Sequence, residues 1–200
     1  MIGKERFTEL VGDLKFVEAF GLIENEPEED IKSLESIEIK GEPLLFYLVG
    51  KSQHDGVYSL VITILKSGVS ADIIHDGDPL LHNAVRPDAR GAEYNQDNVH
   101  KVFKVVLDHV KEVDLQTERG MTSLNYAAHS EREEMVYWLC ERNANPDIVD
   151  DDEMSAFLEV GLKVRMGRAT AAETKIYEFL NAYKNNNNVI PQDLKKGRSL

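Results

Sequence analysis

The sequence predicts an all-α protein, a solenoid of stacked helix pairs joined by short hairpins or turns. Three observations lead to this fold class: a short block that recurs four times, an apolar stretch at helical spacing behind each of the first three copies, and turn-forming residues between the units. One helix pair of this size cannot bury its own apolar face, so neighbouring pairs are expected to stack.

The four copies of the block align without gaps. They begin at positions 41, 77, 120 and 153 and have the sequences GEPLLFYLV, GDPLLHNAV, GMTSLNYAA and EMSAFLEVG. The fifth position is Leu45, Leu81, Leu124 and Phe157, with separations of 36, 43 and 33 residues. The irregular spacing comes mainly from insertions at the turn between two helices. The longest insertion, 86–98, is either a tolerated surface loop or a partner-contacting loop.

Local signals place the helix ends. Pro43 and Pro79 stand near predicted helix starts, where a missing N–H costs little, and Thr122 and Ser155 are good N-caps at the equivalent positions. The second helices are expected around the apolar runs in 60–65, 102–107 and 135–139, and turns at Asp76-Gly77 and Arg119-Gly120.

The expected organisation has three parts. Residues 1–35 form an N-terminal helical cap followed by an acidic loop at 24–30. Residues 36–184 form the repeats, with units at about 36–73, 74–115, 116–148 and 149–184. The segment LESIEIK (34–40) is expected to enter the hairpin of the first unit. Residues 185–200 form an Asn-rich break and a tail or linker.

These blocks resemble the ankyrin-repeat family, whose pattern has the form G-x-T-P-L-H-x-A-A followed by a second helix and a G-A-x-x-N/D turn. TSLNYAA and NANPD in the third unit match it best, PLLHNAV in the second unit is close, and the first and fourth units are degenerate. The resemblance implies that His82 bonds backbone of an adjacent hairpin, and that the repeats bind other proteins without catalysis through a concave surface. The equivalents of His82 are Phe46, Asn125 and Leu158, which share no side-chain chemistry.

Composition and charge narrow the classes of function and location that we expect for this chain. The net charge is −13, and no strong basic patch interrupts it, so direct binding to nucleic acid is disfavoured. One cysteine allows no intrachain disulfide, no signal peptide is evident, and no apolar run is long enough to insert into a membrane. We therefore expect a cytoplasmic or nuclear protein.

We expect no catalytic residue, no metal and no cofactor. His82 lacks ligand partners at metal-binding spacing, and the pairs His54-Asp55 and His75-Asp76 fall in predicted turns. The run Asp150 to Glu153 lacks the Gly and the alternation of a calcium loop. Cys140 is predicted to be a small buried residue, because no base is evident beside it.

The predicted site residues lie at hairpin tips and at outward positions of the first helices. The tip residues are His75, Asp76, Asp78, Glu118, Arg119, Asp151 and Asp152, and the helix residues are Tyr47, Asn83, Tyr126 and Glu159. Tyr47 and Tyr126 are the expected hot spots, because aromatic residues dominate interface energetics. The negative charge predicts a protein or peptide partner with a basic patch and a salt-sensitive complex.

Two alternatives stay open beside this adaptor, recruiter or masking inhibitor. One is a homodimeric scaffold that associates through its N-terminal segment. The other is a targeting or regulatory module of a longer multidomain protein or enzyme, since the Asn run and the basic tail suggest a continuation.

Overall fold

A computed structural model of the chain describes residues 3–86 and 95–195. These residues form a mostly helical protein with few and very short strands, as predicted. They divide into two compact units, residues 1–111 and residues 112–200. Residues 87–94 of the 86–98 insertion lie outside the described residues, and its last three residues, 96–98, begin a helix.

The first unit contains seven helices and two hairpins among its described residues. The helices are α1 (Lys4–Gly12), α2 (Phe16–Gly21), α3 (Glu28–Lys32), α4 (Leu44–Gly50), α5 (Val57–Lys66), α6 (Leu80–Val85) and α7 (Gln96–His109). The strands are β1 (Glu38–Ile39), β2 (Glu42–Pro43), β3 (Ile74–His75) and β4 (Asp78–Pro79), and a 3-10 turn spans Ser33–Ser36.

The second unit contains five helices in its described part. They are α8 (Ser123–His129), α9 (Glu133–Glu141), α10 (Ala156–Arg165), α11 (Ala171–Asn185) and α12 (Gln192–Lys195). Two isolated antiparallel bridges, Gln116 with Thr122 and Val149 with Ser155, precede α8 and α10. They stand where β1–β2 and β3–β4 stand in the first unit.

The N-terminal segment contains the predicted helix pair. Phe7, Leu10 and Val11 of α1 are buried, and so are Phe16 and Ala19 of α2. The acidic stretch predicted as a loop is a loop only as far as Pro27, because α3 begins at Glu28. Three acidic residues in its first turn favour the positive end of the helix dipole, which explains the difference.

The two hairpins of the first unit have the same turn. Lys40 and Gly41 have φ angles of 55° and 84°, and Asp76 and Gly77 have 49° and 78°. Two consecutive residues with positive φ are characteristic of the type I′ turn, whose twist matches that of paired strands. The predicted entry of 34–40 into a hairpin is therefore confirmed, with Ile39 opposite Glu42.

Helix starts differ between the units. Thr122 and Ser155 accept hydrogen bonds from the backbone N–H groups of Asn125 and Leu158, as predicted for N-caps. Pro43 and Pro79 make no such bond. Instead, the N–H groups of Leu44 and Leu80 donate to the carbonyls of Ile37 and Ile73, at 2.8 Å in both cases.

The second helices carry much of the core. In the first unit α5 packs against α7 and α4 against α6, and in the second unit α8 packs against α9 and α10 against α11. The buried apolar side chains recur at helical spacing, among them Leu60, Val61 and Ile64 of α5, Val102, Phe103 and Val106 of α7, and Ile176, Phe179 and Leu180 of α11.

Helix α11 reaches the first residue of the Asn run. A capping box formed by Thr170 and Glu173 starts α11, which ends at Asn185, inside the Asn run. Ile190, in the predicted tail, is buried. The segment after α11 is therefore packed as far as this residue.

Candidate protein-interaction surface

The hairpin tips of the second unit form one continuous edge. The backbone N–H of Asp151 donates to the carbonyl of Arg119 at 3.0 Å, and Gln116 Nε2 donates to the carbonyl of Val149 at 3.2 Å. Gly120 has a φ of 73°, and a Cβ there would lie 3.1 Å from the Cα of Asp150. We call residues 117–120 and 150–153 the tip edge.

The acidic run at the tip edge has an internal and an external part. Asp150 Oδ1 accepts hydrogen bonds from the N–H groups of Asp152 and Met154, at 3.0 and 2.9 Å, so this carboxylate holds the turn. Asp151 and Asp152 are exposed, and neither carboxylate has a partner among the described residues. The outer carboxylates of the run are thus solvated, whereas that of Asp150 stabilises the turn.

The predicted tip residues Glu118 and Arg119 are exposed as well. Their side chains make no hydrogen bond or ion pair with the described residues. Glu153 is exposed in the same way, so the tip edge carries five charged side chains without a partner among the described residues, four of them acidic: Glu118, Arg119, Asp151, Asp152 and Glu153.

Helices α8 and α10 contribute a polar network beside this edge. Tyr126 is half-buried, with its ring centroid 6.5 Å from that of His129. Glu159 Oε1 lies 2.7 Å from His129 Nδ1 and 3.0 Å from Lys163 Nζ, and its side chain is only 20% exposed. The site prediction missed His129, whose side chain is 58% exposed and which lies one turn beyond Tyr126 on α8.

The network continues inward to a buried carboxylate. Lys163 Nζ donates to Glu173 Oε1 at 2.6 Å, and Glu173 Oε2 accepts from the N–H of Thr170 at 2.8 Å. The bond from Lys163, and after it the one from Thr170, hold the pKa of Glu173 below its ordinary value. Partial burial opposes protonation of Lys163, but its bonds to Glu173 and Glu159 outweigh this and raise its pKa. Glu159 is therefore held between His129 and Lys163, in a polar chain that ends at Glu173.

Tyr47, one of the two predicted hot spots, is buried in the first unit. Tyr47 is only 3% exposed, so the expectation that it points outward as a contact residue is wrong. The amines of Lys40 and Lys51 each lie 5.7 Å from its ring centroid. The repeat register made Tyr47 equivalent to Tyr126, but the packing around the two positions differs.

The other predicted residues of the first unit are partly engaged in the fold. The ring of His75 packs edge-on against Phe46, with the centroids 5.1 Å apart. Asp78 Oδ2 lies 3.2 Å from Arg86 Nη1. Asn83, predicted to face a partner, donates from Nδ2 to the carbonyl of Phe46 at 3.0 Å and ties α6 to α4. Asp76 is the most open of the set, at 91%.

The residues equivalent to His82 in two other repeats contact the hairpin of the following repeat. His82 itself is buried. Its equivalent Asn125 donates from Nδ2 to the carbonyls of Ile148 and Met154, at 3.2 and 3.1 Å, and so fixes the hairpin of the following repeat. Phe46 meets the next hairpin through His75. The side chains at this repeat position differ, but Asn125 and Phe46 both contact the hairpin of the following repeat.

The remaining chemical candidates are possible metal ligands and the single thiol. No group of three or more His, Cys, Asp or Glu side chains there is arranged to hold a metal ion. Cys140 is buried, and burial raises the pKa of its thiol, which suppresses the reactive thiolate.

The fold and the tip edge define a helical repeat protein. The family model for the ankyrin repeat matches residues 119–151, from one tip through α8 and α9 to the next, which is the unit where the sequence resembled the family best. Ankyrin repeats are generally protein-interaction modules. A search of curated proteins found no match. None of the helices described here is both long and apolar enough to span a membrane.

Proposed function

We propose that the chain is a protein-interaction module that binds a partner through its hairpin tips and first helices. It acts as an adaptor, a recruiter or a masking inhibitor, without catalysis or a cofactor. The continuous solenoid with a concave surface belongs to this proposal, and rests on the repeat spacing of the sequence. The cytoplasmic or nuclear location is proposed with it, because a single cysteine allows no intrachain disulfide.

One observation carries the proposal. Five charged side chains of the tip edge are exposed and have no partner among the described residues, although the backbone beneath them is fixed by hydrogen bonds between the two tips. Rigid backbone under free polar groups is suited to binding, because little conformational entropy is lost when the complex forms. The ankyrin repeat match begins at Arg119 in one tip and ends at Asp151 in the next.

The charge of the edge indicates the kind of partner. Glu118, Asp151 and Asp152 outnumber Arg119, and the whole chain carries a net charge of −13. A partner with a basic patch would associate faster and more tightly at low salt, where exposed charges are little screened.

Capture from a lysate with a charge-matched pair of variants tests this function. Asp151→Asn with Asp152→Asn should reduce the amount of bound partner, identified by mass spectrometry, and should weaken its salt dependence. The control is Glu28→Gln with Glu29→Gln, which removes the same charge from exposed positions on α3. Equal capture by both double variants would contradict binding through the tip edge.

A second test concerns Tyr126. Tyr126→Ala should weaken capture of the same partner by about tenfold if the ring is a hot spot. Glu159→Ala is a less specific probe, because it also releases His129 and Lys163. Full capture by Tyr126→Ala, with an unchanged melting temperature, would remove α8 from the proposed surface.

An exposed apolar patch keeps the homodimer as a second candidate. Leu14 and Val17, at the turn between α1 and α2, are 43% and 63% exposed. Light scattering on the parent chain and on the double variant Leu14→Ser, Val17→Ser tests the homodimer against the monomeric interaction module. A dimeric parent that becomes monomeric in the variant would support the scaffold, and a monomeric parent would exclude it.

A further inference from the structure

The third repeat holds the hairpin of the fourth repeat at three of its positions. Gln116 donates from Nε2 to the carbonyl of Val149 at 3.2 Å. The carbonyl of Arg119 accepts the N–H of Asp151 at 3.0 Å. Asn125 donates from Nδ2 to the two carbonyls that flank the same hairpin, at 3.2 and 3.1 Å. These contacts identify the side of a repeat that receives the hairpin of the repeat after it.

The fourth repeat has the same three positions, but no further hairpin follows it in the described part of the chain. The spacing of 33 residues between the two repeats makes Val149, Asp152 and Leu158 the equivalent residues. Val149 and Leu158 are 49% and 38% exposed, whereas the equivalents of Leu158 in the other three repeats are buried. No described residue donates a hydrogen bond to the carbonyl of Asp152. We call Val149, Leu158 and this carbonyl the receiving face.

The receiving face is less polar than its counterpart in the third repeat. Val149 and Leu158 stand where the third repeat has two amide side chains that donate to a hairpin. A terminal repeat whose outer side stays in water needs a polar outer face, so this change of polarity has the wrong direction. Single exposed apolar residues are common on protein surfaces, but these two share the positions that contact a hairpin one repeat earlier. The face therefore has the composition of a surface that another element covers.

We propose that the receiving face docks a β-hairpin of the partner protein, with an apolar or aromatic side chain on its strand and basic residues at its tip. A hairpin is the occupant because a hairpin is seated on the same three positions of the third repeat. This inference rests on the proposed function, and it names the shape and the chemistry of the segment by which the partner is recognised.

The first unit shows how an apolar residue at this repeat position holds a hairpin. Phe46 is the equivalent of Leu158, and the ring of His75 in the next hairpin packs against it edge-on, with the centroids 5.1 Å apart. We therefore expect the incoming strand to place an apolar or aromatic side chain on Leu158. A backbone N–H of its tip donates to the carbonyl of Asp152, as the tip of the fourth repeat donates to the tip of the third.

The charge beside the receiving face selects a basic tip. The side chains of Asp151, Asp152 and Glu153 are exposed and have no partner among the described residues. Three carboxylates next to one another attract a cationic tip and repel an acidic one. A second copy of this chain is a poorer occupant, because it brings its own net charge of −13 to the same surface.

Fluorescence anisotropy with designed hairpins tests the site. The probe is a short fluorescein-labelled hairpin closed by a terminal disulfide, with lysines beside an Asn-Gly turn and with valine and tyrosine on one face. Three peptides are compared with it: one with glutamate for lysine, one with serine for the apolar residues, and a linear form with serine for cysteine. The parent chain should bind the probe about tenfold more tightly than each of the three, and added salt should weaken the complex.

A matched pair of double variants locates the binding. Val149→Ser with Leu158→Ser should weaken binding of the probe by about tenfold, because the apolar contact is lost. The control is Met166→Ser with Val189→Ser, which removes apolar surface at two other exposed positions of the same unit, 62% and 52% exposed. The control should bind the probe as the parent does. The melting temperature of each variant is measured as well, so that loss of the fold is not mistaken for loss of binding.

A charge variant covers the case in which the serine variant does not fold. Leu158→Lys keeps an aliphatic stem over the surface that Leu158 covers, and its ammonium group repels the lysines of the probe. It should weaken binding by at least about tenfold. Val189→Lys adds the same charge elsewhere in the unit and should weaken binding by less than about twofold, since exposed charges that lie apart are screened by salt.

The contrary results are equally definite. Equal binding of the probe and its linear form would overturn the hairpin as the occupant, and equal weakening by the serine control would overturn the receiving face. Failure of the parent to bind any of the four peptides would overturn both. Self-association of the parent in light scattering, abolished by Leu158→Lys, would assign the face to a second copy instead. Lysate capture by Asp151→Asn with Asp152→Asn tests the tip edge independently, so failure of this inference is distinguishable from failure of the proposed function.

Discussion

The two units build the same hairpin-and-helix arrangement with different chemistry. In the first unit a type I′ turn and a proline precede each first helix, and a hairpin carbonyl accepts the N–H at the helix start. In the second unit Thr122 and Ser155 supply side-chain caps, and the strands shrink to single bridges. The family model matches residues 119–151, in the second unit. The comparison shows that one arrangement can be reached through side-chain caps or through backbone bonds.

The largest expected effect concerns the residue that fixes the next hairpin. Asn125→Ala removes two hydrogen bonds and leaves two carbonyls unpaired, so it should lower the free energy of unfolding by about 2–4 kcal/mol. Denaturant unfolding measures it, with exposed Asn181→Ala as the control.

The equivalent change in the first unit is His82→Ala. Because His82 is buried, this variant should lower stability more than it alters partner binding. Unchanged melting combined with lost binding would overturn the structural role of the histidine.

The next effect compares two glycines at hairpin tips. Gly120→Ala brings a Cβ to 3.1 Å from Asp150 Cα and adds positive-φ strain, whereas Gly41→Ala meets nothing within 4 Å. We expect a loss of about 2–3 kcal/mol for Gly120→Ala and about 1 kcal/mol for Gly41→Ala. Equal losses in thermal unfolding would show that the tips of the second unit are not closely packed.

A smaller difference is expected at the helix starts. Thr122→Ala removes a cap and should cost about 1 kcal/mol, whereas Pro43→Ala leaves the backbone bond from Leu44 to Ile37 intact and should cost less. A greater loss in Pro43→Ala, by urea denaturation, would reverse the proposed contrast between the units.

The smallest expected effect is the pH dependence of stability that Glu173 contributes in the second unit. Since the pKa of Glu173 is lowered in the folded chain, its ionised form adds stability above the ordinary value of 4.5, and this stability is lost as the pH falls through the folded pKa. The melting temperature of the parent should therefore drop more steeply on acidification than that of Glu173→Gln. Exposed Glu178→Gln on the same helix should behave as the parent does.

Much of the fold was predictable because it depends on local sequence. The N-caps Thr122 and Ser155 and the entry into the first hairpin are encoded within a few residues, and the structure confirms them. The helix α3 could have been predicted too, because Pro27 is followed by three acidic residues, a pattern that favours a helix start.

The site was less predictable because it depends on distant contacts. Tyr47 and Tyr126 hold equivalent places in the repeat, yet two lysines and the surrounding core enclose only the first. The carbonyls that bind Asn125 lie 23 and 29 residues further along the chain. Repeat register gives the position of a residue on its helix, but neighbouring elements decide whether the side chain is free.

Hydrogen–deuterium exchange on the chain, alone and with the captured partner, tests the central claim most directly. The account predicts that binding slows amide exchange at the tip edge, 117–120 and 150–153, and along α8, while exchange along α9 is unchanged. Protection confined to α9 and α11, with the tip edge exchanging as in the free chain, would contradict it.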